Sequence, residues 1–85
     1  MSTAQILTYT NRTRDRVLLI LEPWAEQYWI EPGGRVDIKV SGGKQGYNIE
    51  LEETANGIVV YGWEGCVAAV FCNGTELTPD PQPSH

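Results

Sequence analysis

Hydrophobic and polar residues alternate in two segments of this chain. In residues 35–40, Val36, Ile38 and Val40 fall on one side of an extended chain and charged side chains fall on the other. Residues 47–52 repeat the alternation, and a period of two is typical of a half-buried antiparallel strand. Because a glycine-rich connection at residues 41–46 joins the two segments, the pattern predicts that they pair as a β-hairpin.

Two other segments, residues 17–21 and residues 66–72, are apolar without alternation. Such a run predicts a strand that is covered on both faces and lies in the middle of a sheet. The β-branched content of the first run and Pro23 after it disfavour a helix there. Two central strands imply a fold with two packed layers.

Shorter strand signals occur at residues 8–10, 28–30 and 58–61, and turn residues separate them at 32–34, 56–57, 62, 65 and 73–74. One helical turn is predicted at residues 25–27. The chain is therefore predicted to be all-β, a small antiparallel β-sandwich of about seven strands, with a small closed β-barrel as the alternative.

The predicted domain spans residues 3–77. The Pro-rich segment at residues 78–85 is predicted to be an extended, disordered C-terminal tail, since proline cannot donate to a β-ladder. A chain of 85 residues builds only a thin core, so self-association is one way in which it would gain buried surface.

The charge balance restricts the partners of the chain. It carries 11 acidic and 6 basic side chains, a formal net charge of -5, which repels the phosphate backbone of nucleic acids. Residues 1–9 lack the basic start and apolar run of a secretory signal, and no stretch approaches the roughly 20 apolar residues of a membrane span. We therefore predict a cytoplasmic protein without nucleic-acid or membrane partners.

The residues that usually support catalysis are scarce. The one histidine, His85, lies in the predicted tail, which excludes a histidine-based triad or metal cluster, and we predict neither a cofactor nor an enzyme. Cys66 and Cys72 would stand about 20 Å apart on one strand, too far to form a disulfide with each other. Asn11-Arg12-Thr13 and Asn73-Gly74-Thr75 match the N-glycosylation triplet, which matters only in a secreted eukaryotic chain.

Aromatic residues are the first candidates for a binding surface. Trp24, Tyr28 and Trp29 lie close together in the sequence, and Tyr61 and Trp63 form a second group. Tyr28 and Trp29 must point to opposite faces if one strand holds both. An exposed ring would stack on a sugar or receive a partner protein. The alternative is that a thin core keeps its largest side chains inside.

Charged side chains supply two further candidates. Arg12, Arg14 and Arg16 would share one side of an extended segment and bind an anion or an acidic surface, unless they only protect a sheet edge from strand pairing. Paired glutamates would suit a carboxylate-dependent hydrolase, the remotest hypothesis. Glu50 and Glu52, on the polar face of their predicted strand, are instead expected to be solvated.

The strand, proline-glycine turn and strand of residues 28–40 resemble those of cupredoxin-like β-sandwiches. Because the histidine, cysteine and methionine ligands of blue-copper sites have no counterparts, the resemblance implies a copper-free sandwich. The whole chain also resembles small uncharacterised bacterial proteins that contain a Glu-Pro-Trp segment such as Glu22-Pro23-Trp24. This resemblance brings no activity with it.

These observations favour a small non-enzymatic binding or protein-interaction module. The binding surface would contain Trp24, Tyr28, Trp29 and the three arginines. The alternative is a self-associating structural protein or a small subunit of a larger assembly.

Overall fold

The computed structural model describes residues 4–44 and 46–80, and these residues form a two-layer β-sandwich. Sheet A has the strand order β1-β4-β7-β8, and sheet B has the order β3-β2-β6-β5. The predicted all-β sandwich is confirmed, and the sheets do not close into a barrel. The strands are β1 Gln5–Thr10, β2 Val17–Glu22, β3 Glu26–Ile30, β4 Arg35–Gly42, β5 Glu50–Thr54, β6 Gly57–Tyr61, β7 Cys66–Cys72 and β8 Thr75–Glu76.

The eighth strand is the short β8, which pairs with the end of β7. Asn73 and Gly74 join these strands with φ angles of 52° and 80°, as a tight hairpin turn of type I′ requires. The predicted reversal at residues 73–74 is therefore confirmed, and the strand that follows it raises the number from about seven to eight.

The two sheets enclose the core through alternate residues of their strands. Val36, Ile38 and Val40 of β4 are buried, as their alternation predicts, and they face the buried Leu19 and Leu21 of β2 within one cluster. Burial of such side chains is the main stabilising contribution in a small sandwich. Charged residues of β4 fall on the opposite side of the same strand.

The predicted hairpin between residues 35–40 and 47–52 is wrong. β4 pairs with β1 and β7 in sheet A, whereas β5 pairs with β6 in sheet B. The connection between them crosses from one sheet to the other. At Gly43, with φ 71°, an added Cβ would lie 2.6 Å from the carbonyl oxygen of Glu64, so this close approach requires glycine.

Sheet B contains one parallel pair, so the sandwich is not purely antiparallel. β2 and β6 run in the same direction, with Leu18 opposite Gly57 and Glu22 opposite Tyr61. Gly57 is required at this pairing because a Cβ there would overlap the carbonyl oxygen of Leu18. The join between β2 and β6 connects the two local hairpins β2–β3 and β5–β6 into one sheet.

Two local predictions change at the edge strand β3. Residues 26 and 27 belong to this strand rather than to a helical turn, because Glu26 and Gln27 pair with β2. The predicted C-terminal tail begins within the described residues, where the amide of Asp80 donates to the carbonyl oxygen of Gln27 at 2.8 Å. The chain is thus attached to β3 as far as Asp80, and residues 81–85 lie outside the described residues.

One end of the sandwich is organised by a fully buried asparagine, Asn11. Its side-chain amide donates to the carbonyl oxygens of Asp15, at 2.8 Å, and Ile30, at 2.9 Å, and its side-chain oxygen accepts from the Thr13 amide at 2.9 Å. Its own backbone groups bond with Gly33 and Gly34 at 2.8 Å each. Asn11 therefore fastens the β1–β2 loop to the β3–β4 turn.

Candidate functional site

The outward side of sheet B presents apolar side chains on three neighbouring strands. Five side chains on β2, β3 and β6 point away from the core, and we call them the apolar face: Leu18, Ile20, Trp29, Val59 and Tyr61. The two rings are 42% and 36% exposed, and the three aliphatic side chains are half-buried. The strand register sets Leu18 beside Trp29 and Ile20 beside Val59.

The apolar run at residues 17–21 explains this face and corrects the prediction of strands covered on both faces. That prediction is also wrong for residues 66–72, because Val67 of β7 points outward and is 65% exposed. The run at residues 17–21 predicts a strand covered on both faces, but the described residues cover only one, the side of Val17, Leu19 and Leu21. Leu18 and Ile20 point outward instead. Sheets of parallel strands are normally buried on both faces, and β2–β6 is the parallel pair within the mixed sheet B. Sheet B therefore presents an apolar side that has no cover within the described chain.

A cation lies at one corner of the apolar face. Arg16 directly precedes β2, and its guanidinium carbon lies 4.5 Å from the centroid of the Trp29 ring. A guanidinium at this distance is attracted to the electron-rich face of an indole. The contact holds Arg16 against the edge strand β3 and gives this corner a positive charge.

Carboxylates lie at the far end of the same face. The hydroxyl of Tyr61 donates to Oε1 of Glu52 at 3.1 Å, and Tyr61 sits between Glu22 on β2 and Glu50 on β5 in the strand register. The hydrogen bond to Glu52, followed by partial burial and the negative charges of Glu52, Glu22 and Glu50, raises the pKa of the Tyr61 phenol. The apolar face therefore has opposite charges at its two ends.

The three predicted aromatic residues occupy different environments. Trp29 is exposed on the apolar face and Tyr28 points to the core, where it is only 5% exposed, so the two do point in opposite directions. The prediction that Tyr28 belongs to a binding surface is therefore wrong, since its ring lies in the buried cluster. Trp24 lies in the β2–β3 turn, 37% exposed, and its ring packs close to Gly62.

Burial perturbs the acidity of Tyr28. Removal from water, followed by the negative charge of Glu26 and a hydrogen bond of 3.4 Å to its Oε1, raises the pKa of Tyr28 to about 12. The phenol therefore stays neutral in the folded protein across the physiological range. This environment makes Tyr28 a structural residue.

The predicted row of arginines does not form. Residues 13–15 bend rather than extend, because the side-chain oxygen of Asn11 accepts hydrogen bonds from the amide and the hydroxyl of Thr13. Arg12, Arg14 and Arg16 are all exposed, and Arg16 is the one that reaches the apolar face. Without an extended segment, their alternate spacing no longer places them on one side.

Other surfaces give less support for a binding site. An open cleft of about 390 Å³ lies at one end of the sandwich, lined in part by Tyr9, Asp15, Glu53 and Ile58. Asp15 and Glu53 are exposed, whereas small-molecule sites bury most of their ligand among convergent polar groups. Cys66 and Cys72 are both free thiols, as their predicted separation requires.

Within residues 4–44 and 46–80, no group of three or more His, Cys, Asp or Glu side chains is placed to hold a metal ion. The same residues contain no helix that is long and apolar enough to cross a membrane. Glu50 and Glu52 are exposed on β5, as expected for solvated carboxylates.

Sequence reasoning missed the three aliphatic members of the apolar face, Leu18, Ile20 and Val59, whereas Trp29 and Tyr61 were among the aromatic candidates. Leu18 and Ile20 belong to a run that predicts burial on both sides, and a sequence does not say whether the second cover is supplied by the same chain. Val59 follows the same rule on β6. The available signal was the absence of alternation in residues 17–21 and 58–61, on strands that the fold places side by side.

Comparison with protein-family models, with curated proteins and with solved structures gives no match to this chain.

Proposed function

We propose that this protein is a small non-enzymatic protein-interaction module that binds its partner through the apolar face. The uncovered outward side of the parallel pair β2–β6 supports this most directly. Two adjacent strands carry Leu18, Ile20 and Val59 outward, where an ordinary half-exposed sheet carries polar side chains. Apolar patches formed by neighbouring residues on small proteins commonly mark interaction sites.

The composition of this face suits a protein partner better than a small ligand. It combines aliphatic residues with Trp29 and Tyr61, and charged groups border it at both ends. Protein interfaces typically have an apolar centre with tryptophan, tyrosine and arginine, surrounded by a polar rim. The copper-free cupredoxin-like resemblance and the cytoplasmic location remain predictions that accord with a module of this kind.

Photo-crosslinking from two matched positions tests the proposal. Val59 and Val67 are both outward-facing valines on inner strands, one on sheet B and one on sheet A, and Val67 is 65% exposed. Each is replaced by p-benzoylphenylalanine, and the protein is irradiated in cells of the source organism. We expect crosslinks to protein from position 59 and few from position 67, since only the first lies on the apolar face.

Equal crosslinking from both positions, or none from position 59, would overturn the proposal. The mass of the product identifies the kind of partner. A product of twice the chain mass indicates a second copy, and any other mass indicates a different protein. Circular dichroism spectra that match those of the unmodified protein establish that both variants are folded.

A further inference from the structure

The apolar face is nearly square. With adjacent strands about 4.8 Å apart, the outer strands β3 and β5 of sheet B lie about 14 Å from each other. Along β2, outward residues from Leu18 to Glu22 span about 13 Å at about 3.3 Å per residue. A square face can be laid on a copy of itself with the strands crossed and its corners still in register.

The charges occupy diagonally opposite corners of this square. Arg16 lies beside Trp29, on the edge strand β3 and at the end of the sheet where β2 begins. Glu50 and Glu52 lie on the opposite edge strand, β5, toward the end where β2 finishes at Glu22. A diagonal therefore leads from a positive corner, across the aliphatic centre, to a negative corner.

We propose that the partner of the apolar face is a second copy of this chain, packed face to face with its strands crossing at about 90°. A two-fold axis in the plane of the interface, along the other diagonal, exchanges the two charged corners. Arg16 of each copy then lies against Glu50 and Glu52 of the other, and the aliphatic centres meet. The inference rests on the proposed function and specifies its partner.

Crossed packing is one of the two arrangements that stacked sheets adopt. A two-fold axis parallel to the strands would instead set Arg16 opposite the neutral Thr54, which lies on β5 at the same end of the sheet as Arg16. An axis perpendicular to the strands would bring Arg16 toward Glu22 at the far end of β2, but it would set Glu50 against the neutral Thr54 on β5. The diagonal axis is the one that pairs both charged corners.

The size of the face sets the strength of the dimer. With its side-chain margins the face covers roughly 400–500 Å² per copy, so the dimer buries roughly 800–1,000 Å², which is below the range of stable specific interfaces and within that of weak, transient ones. A net charge of -5 on each copy adds repulsion away from the contact. We therefore expect a reversible dimer with a Kd on the order of 10–100 μM.

Reversal of the charges tests the arrangement. One variant carries Arg16→Glu, and a second carries Glu50→Lys with Glu52→Lys, so each alone sets like charges against each other. We expect each to raise the Kd at least about tenfold. An equimolar mixture restores both pairs and should form a dimer of one chain of each kind, recorded by native mass spectrometry and by sedimentation equilibrium.

A control and the contrary outcomes separate this inference from the proposed function. Lys39→Glu changes the net charge as Arg16→Glu does, but on the outward side of sheet A, and should leave the Kd of the dimer unchanged. A wild-type dimer whose reversed variants do not recover on mixing would overturn the crossed arrangement. A monomer up to millimolar concentration would overturn the second copy as partner, while crosslinks from position 59 to another protein would still uphold the proposed function.

Discussion

The buried amide of Asn11 supports the sharpest prediction for stability. Asn11→Ala removes its side-chain hydrogen bonds and leaves the buried carbonyl oxygen of Ile30 without its donor. An orphaned buried group costs about 1–3 kcal/mol, and each bond that solvent can replace, such as those to Thr13 and Asp15, costs about 0.5–1.5 kcal/mol. With one orphaned group and three replaceable bonds, we expect the free energy of unfolding to fall by about 3–7 kcal/mol.

This loss is large for a domain of 85 residues, whose total stability is about 4–13 kcal/mol at 0.05–0.15 kcal/mol per residue. Urea unfolding followed by tryptophan fluorescence measures it, since Trp63 is buried in the core. The m-value should stay constant, because the variant exposes the same surface on unfolding. A strongly changed m-value would indicate that the denatured state, rather than the native hydrogen bonds, accounts for the difference.

Thr13→Val is the matched control. It deletes a hydroxyl that lies 2.7 Å from the side-chain oxygen of Asn11 but that water reaches, so it should cost no more than about 1 kcal/mol. Asn11→Asp keeps the acceptor and loses the donors, which sets a carboxylate against the carbonyl oxygen of Ile30. Its stability should recover as the pH falls and the carboxylate gains a proton. Equal losses for Asn11→Ala and Thr13→Val would refute the reasoning.

Two further predictions concern Gly57 and Tyr28, which both lie on strands of sheet B. Gly57→Ala should lower the free energy of unfolding by about 3 kcal/mol or more in urea titration, because its Cβ overlaps the carbonyl oxygen of Leu18. Gly74→Ala, at φ 80° in open space, should cost only about 1–2 kcal/mol, and a similar loss at both sites would contradict the overlap. For Tyr28, whose pKa is raised to about 12, the unfolded chain loses the phenol proton near pH 10 while the native state keeps it, so stability should fall between about pH 10 and 12. Tyr28→Phe should remove up to about 2–3 kcal/mol of that fall. The free energies of unfolding of the variant and the wild type are measured at each pH and compared. If the two free energies change with pH in parallel, Tyr28 is not the group that titrates.

Most strand positions in this protein could be predicted from the sequence, but strand partners could not. The prediction for β5 was wrong in part, since the strand spans Glu50–Thr54 rather than residues 47–52 and all its side chains are exposed. The alternation in residues 35–40 depends only on which side chains face a core, so it identified the buried side chains of β4. The partner of β4 depends on long-range contacts, with Gln5 opposite Val40, and neighbours in sequence do not reveal them. The same limit explains why β5 pairs with β6 and why the parallel join of β2 and β6 was not foreseen.

The candidate site was predicted in part. Trp29 and Arg16 are both on the surface and in contact, as an exposed aromatic and a cationic patch would be. Tyr28 went to the core because the residues on either side of Trp29 in a strand must point inward. Leu18, Ile20 and Val59 were not predicted to lie on the surface, because their segments have the continuous apolar pattern of core strands. The pattern does not show whether the same chain or a second copy covers such a strand.

The burial of Asn11 has a consequence for how the protein is made. Asn11-Arg12-Thr13 and Asn73-Gly74-Thr75 are both glycosylation triplets, but Asn73 lies exposed in a turn whereas the Asn11 amide is fully enclosed. In a host that glycosylates nascent secreted chains, directing this protein to the secretory pathway would expose Asn11 to modification before the loop closes around it, and a chain with a sugar there would be unable to complete this end of the sandwich. Production in a host that does not attach such glycans avoids the loss, whereas a sugar on Asn73 would be compatible with the folded protein.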